Sequence, residues 1–126
     1  MKEMNFTDMP VWKKAHQTVL KVYGLSDKFP QKETFSLTSQ LRRAVVSITS
    51  NIAEGFGRRG VKDKNNFYTI AIGSLRETQN QILIARDLKY ITSETADDLI
   101  EDLTVVCRMI YALIKNQNLR LKTPSS

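Results

Sequence analysis

The sequence predicts an all-α protein, an antiparallel up-down-up-down four-helix bundle formed by a single domain over residues 1–126. Three observations carry that expectation. Apolar residues recur at three- and four-residue steps in four long segments, the breaks between them are short, the first two holding proline or glycine, and no stretch alternates as a strand would. A chain of 126 residues has the usual size of one domain, and 41% apolar with 25% charged residues is a globular composition. A helical repeat array is the main rival, but the chain shows no internal repeat to support it.

The first helix is expected over about 9–28. Thr7 or Asp8 can cap it, and Pro10 suits its first turn, where a missing N–H costs nothing. Trp12, Ala15, Val19 and Val22 form its apolar stripe, widened by Val11, Leu20 and Tyr23, and Phe29-Pro30 ends it because proline disfavours helix in the residue before it. The second helix is expected over about 36–56, with Leu37, Leu41, Ala44, Val45, Ile48 and Ile52 facing inward. Gly55, Gly57 and Gly60 then break it, and either of the first two could close the helix in the left-handed conformation. The third is expected over about 62–89, with Phe67, Ala71, Leu75, Thr78, Ile82 and Ala85 inward. The fourth, over about 93–117, has the clearest period: Ala96, Leu99, Leu103, Val106, Ile110 and Leu113. Thr92 or Ser93 can cap it, and Glu94, Asp97 and Asp98 suit the positive end of its dipole. The tail from Lys122 to Ser126 is expected to fray.

Several function classes fall away. No apolar run approaches the roughly 20 residues needed to cross a bilayer, so no membrane partner is expected. The opening Met1-Lys2-Glu3-Met4-Asn5-Phe6 lacks the pattern of a secretory signal, and a cytoplasmic location is the expectation. The lone Cys107 can form neither an internal disulfide nor a cysteine zinc cage, and it reads as a buried structural thiol.

Two glycine patterns carry no chemistry. Gly55-Phe56-Gly57-Arg58-Arg59-Gly60 has the spacing of a dinucleotide-binding loop, but that motif needs a preceding strand and a βαβ unit, and here a helix precedes it. The phosphate-loop pattern fails because Val61 separates Gly60 from Lys62. A di-iron bundle needs Glu-x-x-His pairs, whereas the one histidine, His16, follows Lys13 at that spacing and reads as a helix-flank residue. No enzyme activity, cofactor, metal or small-molecule substrate is expected.

Charge is more informative. The net charge is +6, and residues 31–64 carry Lys32, Arg42, Arg43, Arg58, Arg59, Lys62 and Lys64 against Glu33, Glu54 and Asp63. Residues 91–118 carry Glu94, Asp97, Asp98, Glu101 and Asp102 against Arg108 and Lys115. The basic part could meet nucleic acid, or the acidic part of a neighbouring copy. Arg42, Arg58, Arg59, Lys62 and Lys64 are the candidate nucleic-acid contacts, because phosphate contacts supply most non-specific affinity. A polar row of Gln40, Arg43, Ser47, Asn51 and Glu54 runs beside the apolar stripe of the second helix, and Ser74 and Glu77 do the same on the third. Folding back around Gly57–Gly60 brings Arg43 level with Glu77, so a partly buried Arg43–Glu77 ion pair is predicted, either setting register inside the bundle or forming a seam between subunits.

Certain runs add a resemblance. Phe29-Pro30, Leu37-Thr38-Ser39-Gln40-Leu41-Arg42-Arg43-Ala44, Ser47-Ile48, Asn51-Ile52-Ala53-Glu54-Gly55 and Ala71-Ile72-Gly73-Ser74-Leu75-Arg76-Glu77 resemble the 23S rRNA-intervening-sequence protein family, as does Val11-Trp12 followed by Ala15. The chain is also similar to the accessory variability determinant of diversity-generating retroelements. The resemblance implies a four-helix bundle assembled as a homopentamer around a central channel, with RNA or DNA as a partner. It marks Arg42, Arg43, Asn51, Glu54 and Glu77 as family-motif positions. Apolar residues at the stripe edges, Val11, Tyr23, Tyr68, Ile72, Tyr111 and Ile114, are the expected subunit contacts. The expectation is a non-enzymatic homo-oligomer binding nucleic acid through basic surfaces. The alternatives are a structural or protein-interaction module and, third, an enzyme using Glu54 or Glu77.

Overall fold

In a computed structural model, which describes residues 4–122, four helices form where the apolar periods lie: α1 (Pro10–Ser26), α2 (Leu37–Gly57), α3 (Val61–Asp87) and α4 (Ser93–Lys122). Short 3-10 turns, Phe6–Asp8 and Gln31–Glu33, precede α1 and α2. No strand forms among the described residues. Residues 1–3 of the opening segment and 123–126 of the expected frayed tail lie outside them.

The helix ends follow local chemistry, not always the expected one. Neither Thr7 nor Asp8 caps α1. Met9 holds that position without a side-chain bond, and Asp8 instead accepts the Asn5 N–H at 2.9 Å, closing the 3-10 turn ahead of the helix. No described glycine has positive φ, so α2 closes without a left-handed residue. Its last carbonyls, those of Gly55 and Phe56, accept from the Lys64 ammonium at 3.2 and 2.7 Å. The left-handed residue lies elsewhere: Lys89, at φ 68°, ends α3. There the Tyr90 N–H reaches the Ala85 carbonyl at 2.9 Å and the Lys89 N–H the Arg86 carbonyl at 3.0 Å, the paired bonds of a Schellman closure. Thr92 caps α4 as anticipated, its hydroxyl accepting the Thr95 N–H at 3.1 Å.

The helices pack in cyclic order, α1 against α2 and α4, α3 against α2 and α4. Ser47 of α2 meets Ser74 of α3, while Asn51 lies further along α2 and a side chain at Gly55 would meet Tyr68, further back on α3. Gln79 of α3 bonds Thr104 of α4, and Asn65 bonds Asn118. Lys21 of α1 bonds Asp102 of α4. From α2 to α3 and from α3 to α4, rising numbers on one helix meet falling numbers on the next. The helices α2 and α3, and α3 and α4, therefore run antiparallel.

The apolar periods of α2 and α4 point inward nearly as read. Leu41, Val45, Ile48 and Ile52 are buried, as are Leu99, Leu103, Val106 and Ile110, with Leu113 partly covered at the end of the stripe. Cys107 is buried beside them. On α3 the expected Phe67 gives way to Tyr68, which is 2% exposed. Adjacent helical residues point about 100° apart, so only one of the two can face the axis, and Phe67 lies under the Arg58 guanidinium instead. On α1, Val11, Ala15, Val19 and Val22 are buried. Trp12 sits on the flank, its ring stacked on His16 at 4.6 Å and edge-on to Phe6.

Of the apolar residues expected at subunit contacts, Val11 and Tyr68 belong to the core, and Ile72 and Ile114 pack partly against it. They are spent on the bundle itself. Tyr23 and Tyr111 do remain exposed, joined by Leu20, Ile70, Ile84, Leu88 and Phe35, the last 97% exposed before α2.

Candidate nucleic-acid interface

The turn from α2 to α3 gathers four of the five expected phosphate contacts. Arg58 and Arg59 lie in the turn, and Lys62 and Lys64 on the first turn of α3. They are not equivalent. Arg58 is drawn onto the protein by Glu54 at 3.3 Å and Asp63 at 3.8 Å, with its guanidinium 4.6 Å above the Phe67 ring. Lys64 is spent on the carbonyl end of α2, where its positive charge also meets the negative end of the helix dipole. Burial pushes the Lys64 ammonium below its usual range, and the charge of Arg120 adds to this. Arg59 and Lys62 stay exposed with no ion-pair partner among the described residues.

Sequence reading missed a second contribution to this end. The fourth helix, expected to stop near residue 117, continues to Lys122. Its last turns lie beside the start of α3, as the 3.0 Å Asn65–Asn118 hydrogen bond shows. Arg120 and Lys122 thereby join Arg59 and Lys62 at one end of the bundle. The signal was present: no proline or glycine follows Lys89 until Pro124, so nothing stops the helix at 117.

Arg42 does not belong to this group. It lies about 24 Å along α2 from Arg58, sixteen residues at the helical rise. Its guanidinium closes the far end of α1, donating to Ser26 Oγ at 2.7 Å, to the Tyr23 carbonyl at 3.3 Å and to Asp27 at 2.7 Å, and stacking 4.7 Å over the Tyr23 ring. Its charge is used inside the fold.

The polar row lies on the α2–α3 face. Gln40, Arg43, Ala44, Ser47, Ser74 and Glu77 line an open cleft between the two helices. Ser47 and Ser74 share a hydrogen bond at 2.8 Å across its floor, and Asn51 donates to the Ser47 carbonyl and hydroxyl at 2.8 and 3.0 Å. Glu54 faces outward to Arg58. Arg43 and Glu77 come level, as the fold-back required, but they form no ion pair. Both are exposed, and an exposed pair gains little over solvation. The Glu77 carboxylate instead accepts from Gln81 on its own helix at 3.4 Å. Gln81 is 4% exposed and its carbonyl oxygen has no donor.

Acidic groups collect along α4. Asp102 takes Lys21 at 2.8 Å and Lys14 at 3.6 Å, tying α4 to α1. Among the described residues no three His, Cys, Asp or Glu side chains are grouped to hold a metal ion, and no helix is long and apolar enough to cross a membrane.

A helical bundle with a polar seam on one face and a basic end, and with nothing that points to catalysis, defines a class of protein rather than a reaction. The comparisons narrow it. Residues 7–112 match the family model described as 23S rRNA-intervening sequence protein, and the chain belongs to that family. A solved structure shares the fold: a protein with unknown function from the S23 ribosomal protein family of Bacteroides thetaiotaomicron VPI-5482, 24% identical, with a TM-score of 0.77 over 83% of this chain and 98% of that one. No curated protein shows a significant match.

Proposed function

We propose that the protein is a non-enzymatic, cytoplasmic homo-oligomer, a pentamer, that binds RNA or DNA through basic ends summed over its copies. The observation that carries this reading is the gathering of Arg59, Lys62, Arg120 and Lys122 at one end of a narrow bundle, apart from the acids of α4. A cluster of exposed cations without aromatic stacking partners favours phosphate contact over base readout. Each patch alone is weak. Copies held together bind with an avidity that no single patch has.

Fluorescence anisotropy of structured RNA, duplex DNA and single-stranded DNA, titrated at low and physiological salt, tests this. Binding should weaken steeply with salt, and exchanging Arg59 or Lys62 for glutamine should reduce the salt slope by about 1 per phosphate contact removed in each copy engaged. Absence of binding at low salt overturns the nucleic-acid reading. It leaves a structural or protein-interaction module, which the unpaired charges of the α2–α3 face also favour.

A further inference from the structure

We propose that the α2–α3 face is where one copy of this chain docks on a second, head to tail, with Arg43 of one copy pairing with Glu77 of the next. This rests on the homo-oligomeric reading above and names the surface it uses.

Charge is the first argument. Arg43 and Glu77 flank one cleft, are exposed, and have no ion-pair partner among the described residues. Elsewhere the bundle pairs such groups readily: Arg42 with Asp27, Arg58 with Glu54 and Lys21 with Asp102. One surface thus presents a cation and an anion on adjacent helices, and another copy carries their complements.

Shape is the second. The outward stripe of α3 runs Ile70, Gly73, Glu77, Asn80 and Ile84 at helical steps, continued by Leu88 just past its end, and all six are exposed. Apolar residues lie above and below the charged middle, the pattern of an interface rather than of a solvated face. At Gly73 a side chain would meet nothing within 4 Å inside the chain. Nothing in the monomer requires glycine there, whereas an adjacent helix packing closely would.

Symmetry is the third. Arg43 and Glu77 are level with each other along the bundle but belong to different helices. Rotation about an axis parallel to the helices preserves height, so each Arg43 stays level with the Glu77 of the next copy. With the axis off the cleft, Arg43 and Glu77 of one copy serve two different neighbours, and the contact is then heterologous and closes into a ring.

Native mass spectrometry across a concentration series, with circular dichroism to verify folding, tests the proposal on the full chain. Wild type should assemble beyond a dimer. Arg43→Glu and Glu77→Arg should each shift the assembly midpoint at least tenfold to higher concentration, and the double reversal should restore it to within about threefold. Gly73→Gln, which gains helix propensity, should keep the fold and lose the assembly. A wild-type monomer overturns the homo-oligomeric reading itself. Assembly that survives the single reversals and Gly73→Gln overturns this interface alone, and so does a double reversal that fails to recover. A dimer overturns the head-to-tail geometry.

Discussion

The ring of Tyr68 occupies the space that a side chain at Gly55 would need. A Cβ built on Gly55 would lie 2.6 Å from Tyr68 Cε1 and 2.9 Å from Cδ1, closer than real side chains approach. The two residues fix how tightly α2 and α3 meet below the turn that carries the basic cluster. Tyr68 is among the largest fully buried side chains, and glycine is what admits it.

Gly55→Ala should therefore destabilise the protein by about 1–3 kcal/mol, the usual range for overpacking. Alanine's better helix propensity, about 1 kcal/mol, does not offset a displaced buried ring. Chemical denaturation of Gly55→Ala, Tyr68→Leu and the double variant checks this. The double should be less destabilised than the sum of the two singles.

Arg42 makes a different prediction from the basic end. Arg42→Met keeps the aliphatic stem but loses the bonds to Ser26, Tyr23 and Asp27. It should cost about 1–3 kcal/mol, as charge-assisted hydrogen bonds do. Nucleic-acid affinity and its salt slope, measured well below the melting temperature, should match wild type.

Asp102 predicts the acid behaviour. Burial pushes its carboxyl up, but the hydrogen bond and charge of Lys21, with the charge of Lys14, outweigh this and hold it below the ordinary value of 3.8. A depressed carboxylate stabilises the fold above its unfolded pKa and loses that contribution as pH falls through the depressed folded value. The stability that Asp102 contributes should thus be constant near neutrality and decline below about pH 4. Asp102→Asn should lower stability at pH 7 and flatten the decline, as read by urea midpoints between pH 3 and 7.

Lys89 predicts a gain. A non-glycine residue in the left-handed region costs about 1–2 kcal/mol, and Lys89 sits there at φ 68°. Lys89→Gly should recover about 1 kcal/mol of stability and raise Tm by a few degrees in calorimetry.

The helices were legible because burial of one face imposes its own period. Leu99, Leu103, Val106 and Ile110 needed nothing but their spacing, and Thr92 needed only its place before an acidic first turn. What was hidden lies where separate helix ends meet. Arg42 and Lys64 look like surface charges in the sequence, yet each closes the carbonyl end of a helix other than its own. Spacing along one segment cannot show which end of another segment it will face. The choice between Phe67 and Tyr68 was open for a narrower reason, since neighbouring positions in one turn compete for the same axis. Arg43 and Glu77 were rightly read as level, but proximity alone does not make an ion pair when water solvates both.

The single tryptophan is stacked on the single histidine, with Phe6 against its edge. Every photon in the tryptophan band therefore comes from one ring at the beginning of α1. Unfolding frees the indole from both partners and so changes its emission. The molecule carries its own optical reporter, and unlabelled protein suffices to follow folding by fluorescence.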